Sequence, residues 1–258
     1  MDKLIDRYRG LLRQYGLNTP ISISREIGKK VIVSENEILL NDERISEAEQ
    51  ESCIAYAVRQ VLLPKLKIET DRVLLRPFQM SDSEDCFGFL NDREDCYNDG
   101  GFEPFTEMDE EFFLLMKKYS QQPLRKMIVC KETGKVIGTV NIIEVSDRAV
   151  EAYELGYCVS KAQQRKGYSY EAVKAVCDCL LNTLYTDMLI AGAIEKNTVS
   201  LHMLQKLGFA FEGRRTKGFY HPVYGPVDLL YYVLERPGKM KNSLWEIQNG
   251  IDRNDSSK

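Results

Sequence analysis

The sequence predicts an α/β fold: a small α/β unit over residues 1–68, a larger α/β domain over 69–236, and a polar tail over 237–258. Three observations carry that expectation. Stretches with helical spacing alternate with short strand-like runs along the chain. The pattern changes near Asp71, where two helical stripes give way to strands. A length of 258 residues, 43% apolar and 29% charged, suits one domain with additions or two small ones, with enough chain to bury a core.

The first unit opens with Leu4, Ile5, Tyr8, Leu11, Leu12 and Tyr15 at helical spacing, with Gly16 placed to stop the helix. Lys30 to Val33 and Glu37 to Leu40 read as short strands. Ser46 and Glu49 form a capping-box pattern ahead of a second helix, whose stripe runs from Cys53 through Ala57 and Val61 to Leu62 and which Pro64 ends. Both stripes need a surface to pack on, and docking on the following domain is the expectation.

In the larger unit, Arg72 to Arg76 reads as a strand, and a helix opening at Ser81-Asp82 reaches about Leu90. A loop from Asn91 to Thr106 leads to a helix over Asp109 to Tyr119. Arg125 to Cys130 and Val136 to Glu144 form two strands around a turn with Gly134 at the bend, and Glu151 to Val159 forms a third. A basic loop precedes a helix from Ser169 to about Asn182, whose Val173, Val176, Cys177 and Leu180 keep helical spacing. A strand over Met188 to Ala193, a short helix over Thr198 to Leu207, and strands at Phe209 to Gly213 and Leu229 to Leu234 complete the unit. The tail is expected to be loose, with Leu244, Trp245 and Ile247 able to dock.

Composition narrows the function. With 35 basic and 39 acidic residues the net charge is −4, which argues against a nucleic-acid coat. No run approaches the roughly 18 apolar residues of a membrane span, and the N-terminal MDKLIDRYRG lacks the apolar core of a signal peptide. A cytoplasmic protein with no membrane partner is expected. The seven cysteines include no CxxC pair and only two histidines accompany them, so no metal is expected and the cysteines read as small buried apolar residues.

Two stretches carry chemistry. Gln164-Arg165-Lys166-Gly167-Tyr168-Ser169 lies between a strand and an amphipathic helix. Backbone N–H groups at such a helix start favour an anion, Gly167 permits close backbone approach, Ser169 is small enough to leave the amides open, and Arg165 and Lys166 add charge for a phosphate. A tight basic turn with an ordinary helix cap would read the same way. The second stretch, Asn197 to Phe209, starts with an N-cap asparagine and ends with a C-cap glycine, and alone it describes a well-capped helix.

Together, at this separation and in this order, the two resemble the GNAT superfamily of acyl-CoA-dependent N-acetyltransferases, with the nearest look to its branch that acetylates ribosomal-protein N-termini. Gln164 to Ser169 resembles the family's Q/R-x-x-G-x-G/A pyrophosphate loop, and Asn197 to Phe209 its N-x-x-S-x-x-x-L-x-K-L-G-F segment. Val73 to Pro77 resembles its first strand and Glu212-Gly213 its strand after the short helix. The likeness covers about Glu69 to Arg236 and departs from the family twice: Ser169 replaces glycine or alanine, and Leu204 stands where many relatives carry a tyrosine that protonates the departing thiolate.

The resemblance implies a mixed, mostly antiparallel sheet flanked by helices, and direct acetyl transfer from acetyl-CoA to a primary amine. An alkyl amine with a pKa of about 10.4 must lose a proton first, so a base is needed. Glu154 looks like the family's carboxylate, with Glu151 as runner-up, and strand alternation puts Glu154 on the face of Cys158 and opposite Leu155. Backbone N–H groups around Cys158 and Val159 would hold the oxyanion, Asn197 would bond the pantetheine arm, and Lys206 or Arg165 would reach the phosphates. Ser200 is the candidate proton donor, with His202 and His221 as possible substitutes. Between Asp92 and Glu111 the chain carries nine acidic residues against one basic one, Arg93. Such a wall would attract a cationic amine such as a peptide N-terminus, polyamine or aminoglycoside, or would be a solvated face. The rival reading is a CoA-binding regulatory or scaffold module without turnover. Oligomeric state is left open.

Overall fold

The computed structural model describes residue 56 and residues 59–237, together with the backbone of four short strands nearer the N-terminus. Those strands, β1 (Ile21–Glu26), β2 (Lys29–Val33), β3 (Ile38–Leu40) and β4 (Glu43–Arg44), form an antiparallel sheet in chain order. β2 and β3 fall where the sequence places strands, while β1 and β4 were not anticipated. The helix expected over 4–15, the capping box at Ser46 and the tail beyond Pro237 lie outside the described residues. Of the second expected helix, residues 56 and 59–62 are described and are helical.

The main sheet has eight strands in the order β11-β12-β10-β9-β8-β7-β6-β5. They are β5 (Ile68–Glu69), β6 (Val73–Pro77), β7 (Arg125–Cys130), β8 (Val136–Val145), β9 (Ala152–Val159), β10 (Met188–Ile194), β11 (Ala210–His221) and β12 (Gly225–Glu235). Every neighbouring pair is antiparallel except β9 and β10. That parallel pair needs a crossover, and helix α4 (Tyr168–Asp178) supplies it. The fold is therefore the mixed, mostly antiparallel α/β sheet with flanking helices that the family resemblance implied.

Two cores lie in the sheet. One joins the buried stripe of α4 (Ala172, Val173, Val176) to Leu155 and Val159 of β9 and to Leu189 of β10. Leu62, Leu63 and Leu66 belong to this same core, so the end of the N-terminal segment packs inside the larger unit. Two cations fasten it there. Arg59, 1% exposed, donates to the Leu184 carbonyl at 2.7 Å and pairs with Glu151. Lys126 Nζ, with its pKa lowered to about 8 by burial, donates to the carbonyls of Leu63 (2.6 Å), Pro123 (2.8 Å) and Pro64 (3.2 Å).

The other core is built from helices α1 (Ser83–Leu90) and α3 (Glu110–Ser120), through Phe89, Phe112 and Met116, against Met127 and Val136 of the sheet. α3 starts on an Asp109 cap whose carboxylate accepts from Phe112 N–H, and its ends carry Glu110 and Glu111, then Lys117 and Lys118, in the sense the helix dipole favours.

Two sequence expectations needed correction. Within the stretch read as a loop from Asn91 to Thr106 lies helix α2 (Arg93–Asp99), capped by Asp92 on Asp95 N–H. It buries only Cys96 and Tyr97, too short a stripe to register as helical periodicity. The last strands are also far longer than Phe209–Gly213 and Leu229–Leu234. β11 and β12 form one hairpin whose turn is held by His221 Nδ1, which accepts from Val223 N–H at 3.1 Å and Tyr224 N–H at 3.3 Å.

Candidate active site

The ladder between β9 and β10 is short. It pairs Ala152, Tyr153 and Glu154 with Met188, Leu189 and Ile190, then stops. Beyond that point the two strands part, and the opening enters a cleft of about 1420 Å³. β9 remains fully laddered to β8, with Ser160 N–H on the Ile137 carbonyl at 2.8 Å continuing the register of Cys158 opposite Thr139. Because hydrogen-bonded pairs alternate along an antiparallel ladder, the N–H groups of Cys158 and Gly156 point to β8, whereas those of Leu155, Tyr157 and Val159 point to the opening. Of the expected donors, the register therefore leaves Val159 facing the gap and replaces Cys158 by Tyr157. Gly138 on β8 makes the close pairing possible: a Cβ there would lie 2.2 Å from the Cys158 carbonyl oxygen.

Loop 164–169 forms the rim of the cleft on the side of α4. Gly167 is the N-cap of α4 at φ 84°, and Arg165 has φ 63°. Left-handed residues alternating with ordinary ones turn successive N–H groups to one side, an arrangement suited to an anion. The loop is tied to the sheet by residues that sequence reasoning missed. Arg72 Nη1 donates to the Lys166 carbonyl at 2.9 Å, and Arg72 Nε donates to Glu171 Oε2 at 2.6 Å. Thr70 Oγ1 donates to Glu171 Oε1 at 2.6 Å. Burial works to raise the Glu171 pKa, but these bonds hold it below the usual carboxylate range. Gln164 Nε2 donates to Asp95 Oδ1 at 2.8 Å and to the Val159 carbonyl at 3.1 Å. Asp95 Oδ2 is buried without a protein partner, and burial raises the pKa of this carboxyl.

The cleft gathers most of the expected residues. Glu154, Val159, Gln164, Arg165, Gly167 and Tyr168 line it, as do Cys158, Ser169, Asn197, Ser200 and Lys206. Lys166 does not; its Nζ donates to Gln163 Oε1 at 2.9 Å. Lys206 Nζ lies over the Tyr170 ring, 4.6 Å from its centroid. Asn197 Oδ1 accepts from Ser200 N–H at 3.1 Å and so caps helix α5 (Thr198–Lys206), which leaves its Nδ2 for a ligand carbonyl. Ser200 Oγ is 2.8 Å from Tyr157 Oη. Leu204 is fully buried in the first core.

Glu154 is half-buried, and burial followed by the charge of Asp147 raises its pKa. A raised carboxyl is better matched to taking a proton near neutrality. Glu151 pairs with Arg59 instead and does not line the cleft. Cys158 also faces the cleft, but burial holds its thiol well above the ordinary range, so it stays protonated and is a poor nucleophile. His202 lines the cleft, whereas His221 is committed to the hairpin turn.

The opposite wall comes from α2, α3 and the segment between them. Glu94, Asp95, Asp99, Glu103, Asp109 and Glu111 line it, so much of the acidic stretch does face the cleft. Part of that charge is already engaged. Asp109 is a cap, Glu94 and Asp92 pair with Lys161 at 3.0 and 3.5 Å, and Glu103 accepts from the Tyr97 hydroxyl at 2.8 Å. Asp99 lines the cleft with its surface open to solvent, and desolvation by the surrounding walls raises its pKa. Phe102, Phe105 and Leu115 supply the apolar part of this wall. Among the described residues no cluster of metal-ligating side chains occurs, and no helix is long and apolar enough to cross a membrane.

Residues 72–210 match the acetyltransferase (GNAT) domain family. The chain is 26% identical over 153 residues to a probable N-acetyltransferase of Bacillus subtilis (strain 168), YjcK, covering 55% of this chain and 82% of that protein. Its fold is similar to the ribosomal-protein-S5-alanine acetyltransferase from Vibrio fischeri, with TM-score 0.53 and 22% identity over 67% of this chain and 98% of that one. Its fold is also similar to the spermidine N-acetyltransferase from Vibrio cholerae, solved with CoA and spermine, with TM-score 0.55 and 18% identity over 65% of this chain and 97% of that one. The ribosomal-protein branch is thus not distinguished from the polyamine branch. A parted parallel strand pair, an anion-ready loop at the crossover helix and a domain match over more than half the chain agree: the chain belongs to the GNAT family and is an N-acetyltransferase.

Proposed function

We propose that the protein moves an acetyl group from acetyl-CoA directly to a primary amine, either a protein N-terminus or a small cationic amine. The observation that carries this reading is the parting of β9 from β10 after Glu154, beside the loop at the start of α4. In this reading the pantetheine lies along the gap between β9 and β10, with Asn197 Nδ2 as a donor to its carbonyls, and the Tyr157 and Val159 N–H groups are left for the thioester oxygen. The pyrophosphate sits against the amides of 165–169, with Arg165 and Lys206 in reach.

The amine enters from the acidic wall as a cation and gives its proton to Glu154, directly or through water. Its lone pair attacks the thioester carbon, and the carbonyl oxygen gathers negative charge facing the Tyr157 and Val159 N–H groups. Preorganised backbone donors of this kind contribute much of the barrier lowering in acyl transfer. The C–S bond then breaks and CoA leaves; no acyl-enzyme is needed, in keeping with the protonated Cys158.

The acceptor is sought with a panel containing an N-terminal ribosomal-protein peptide, spermidine and an aminoglycoside, measuring CoA release by a thiol-reactive dye. Acetyl-CoA should also raise the melting temperature more than an equal concentration of AMP does. At 100 times its dissociation constant a ligand adds about 2.7 kcal/mol. Binding of acetyl-CoA without CoA release for any amine would favour the scaffold reading, which the buried Leu204 motivates.

A further inference from the structure

We infer that the Tyr157 hydroxyl, oriented by Ser200, is the hydrogen-bond donor that holds the departing sulfur of CoA. The inference rests on the acetyltransferase reading above and deepens it at the leaving group.

Three observations converge. First, Leu204 is fully buried among apolar side chains and offers the sulfur nothing. Second, Tyr157 is on the freed half of β9, three residues past the last β9–β10 pair, and it lines the cleft together with Asn197 and Ser200. Third, its Oη meets Ser200 Oγ at 2.8 Å. That bond joins β9 to the first turn of α5, so a ligand lying between β9 and β10 runs beside both hydroxyls. Strand alternation puts Tyr157 on the face opposite Glu154 and Cys158. A donor for the leaving group and a base for the attacking amine thus sit on opposite faces of one strand.

The chemistry is that of a donor and not of a full proton transfer. When the tetrahedral intermediate collapses, the C–S bond breaks and its electron pair stays on sulfur. A thiol with a pKa of about 8.5 is a tolerable leaving group, and one hydrogen bond from Tyr157 O–H offsets part of the charge as it forms. Glu154 takes the ammonium's first proton before attack and passes it to water. The second N–H proton leaves to water as the tetrahedral intermediate collapses to the amide, and the released thiolate takes a proton from water. Burial pushes the Tyr157 phenol up to about 12, so the group keeps its proton and remains a donor throughout the working range. Because the single Tyr157 O–H proton goes to the sulfur, Ser200 O–H donates to Tyr157 Oη, and in this arrangement Ser200 is a positioning residue.

The test compares the parent with Tyr157→Phe, Ser200→Ala, and a protein carrying 3-fluorotyrosine at 157. CoA release is measured with the best amine of the panel, and acetyl-CoA affinity by calorimetry. Tyr157→Phe should lower kcat roughly 10- to 100-fold while acetyl-CoA affinity and KM stay within about twofold. Ser200→Ala should cost less, and 3-fluorotyrosine, a stronger donor of nearly the same shape, should keep or exceed the parent kcat. If Tyr157→Phe keeps the parent kcat, or loses affinity in proportion to rate, the bond only fastens β9 to α5 and the inference is wrong. A fluorinated protein as slow as the Phe variant would overturn it as well. Failure of the parent to bind acetyl-CoA would instead remove the acetyltransferase reading itself.

Discussion

The two walls of the cleft are held by different means. Around loop 164–169 two fastenings grip the main chain, Arg72 on the Lys166 carbonyl and Gln164 on the Val159 carbonyl, while Glu171 adds side-chain bonds from Thr70 and Arg72. Across the cleft, α2 and α3 stand on capping carboxylates and on aromatic packing such as Phe105 against Phe112, with ring centroids 5.5 Å apart. One wall presents main-chain groups, which mutation alters little. The other presents side chains, which mutation alters freely. A cosubstrate that never changes suits the first, and an acceptor that distinguishes one enzyme from another suits the second.

Removing the support beneath the α4 wall should have the largest effect. A chain beginning at Glu69 loses Leu62, Leu63 and Leu66 from the core, together with two of the carbonyls that receive Lys126. Three buried leucines contribute roughly 5–9 kcal/mol, comparable with a whole domain's stability. Its melting temperature should collapse and hydrophobic-dye binding should rise; an unchanged melt would mean that the segment adds nothing to the core.

Next comes Glu154→Gln, which should lower kcat about 100-fold near neutral pH. The Glu154 carboxyl works only when ionised, and its pKa is raised, so the parent's rate should fall as pH drops through that raised value. In the variant this acidic limb should vanish and the rate should climb with pH as the amine deprotonates itself. Superimposable pH–rate profiles would remove Glu154 from the reaction.

A change in the backbone-presenting wall comes third. Gly167→Val forces a branched residue to φ 84° and pushes its Cβ toward Arg72 Nη2, 3.3 Å away. Acetyl-CoA affinity should fall roughly tenfold or more, given a strain of about 1–3 kcal/mol, while the KM for the amine hardly moves. Calorimetry on a variant with native circular dichroism decides this. The smallest effect is expected from Glu111→Gln in the other wall. There the KM for a cationic amine should rise a few-fold, less so at high salt, with acetyl-CoA affinity unchanged. If Gly167→Val shifted the amine's KM and Glu111→Gln shifted acetyl-CoA affinity, the division of labour between the walls would be wrong.

The same division explains what the sequence made legible. Gly167, Ser169 and Asn197 lie in contiguous stretches whose backbone demands are written locally, as a left-handed glycine before a helix and an asparagine cap. The fastenings are not local. Arg72 and Glu171 are 99 residues apart, Asp95 and Gln164 are 69 apart, and Tyr157 and Ser200 are 43 apart. No periodicity links such positions. Helix α2 could have been found from Asp92 as a cap followed by acidic residues in the first turn, but its stripe is only two residues long. The β11–β12 hairpin was hidden by Arg214, Arg215 and Lys217, which break the alternation expected of a strand, and by bulges after Phe211 and Arg215.

The halted ladder after Glu154 also has a consequence in time. The amide protons of Tyr157 and Val159 sit at the centre of a broad sheet, where slow exchange with deuterated solvent would ordinarily be expected, yet they have no strand opposite them. In the unliganded protein they should exchange far sooner than their neighbours Gly156 and Cys158, which are laddered to β8. A molecule that fills the gap acts as the missing strand and should slow them together. The sheet then becomes continuous only for as long as the cosubstrate stays bound, and amide exchange at two positions would clock its residence.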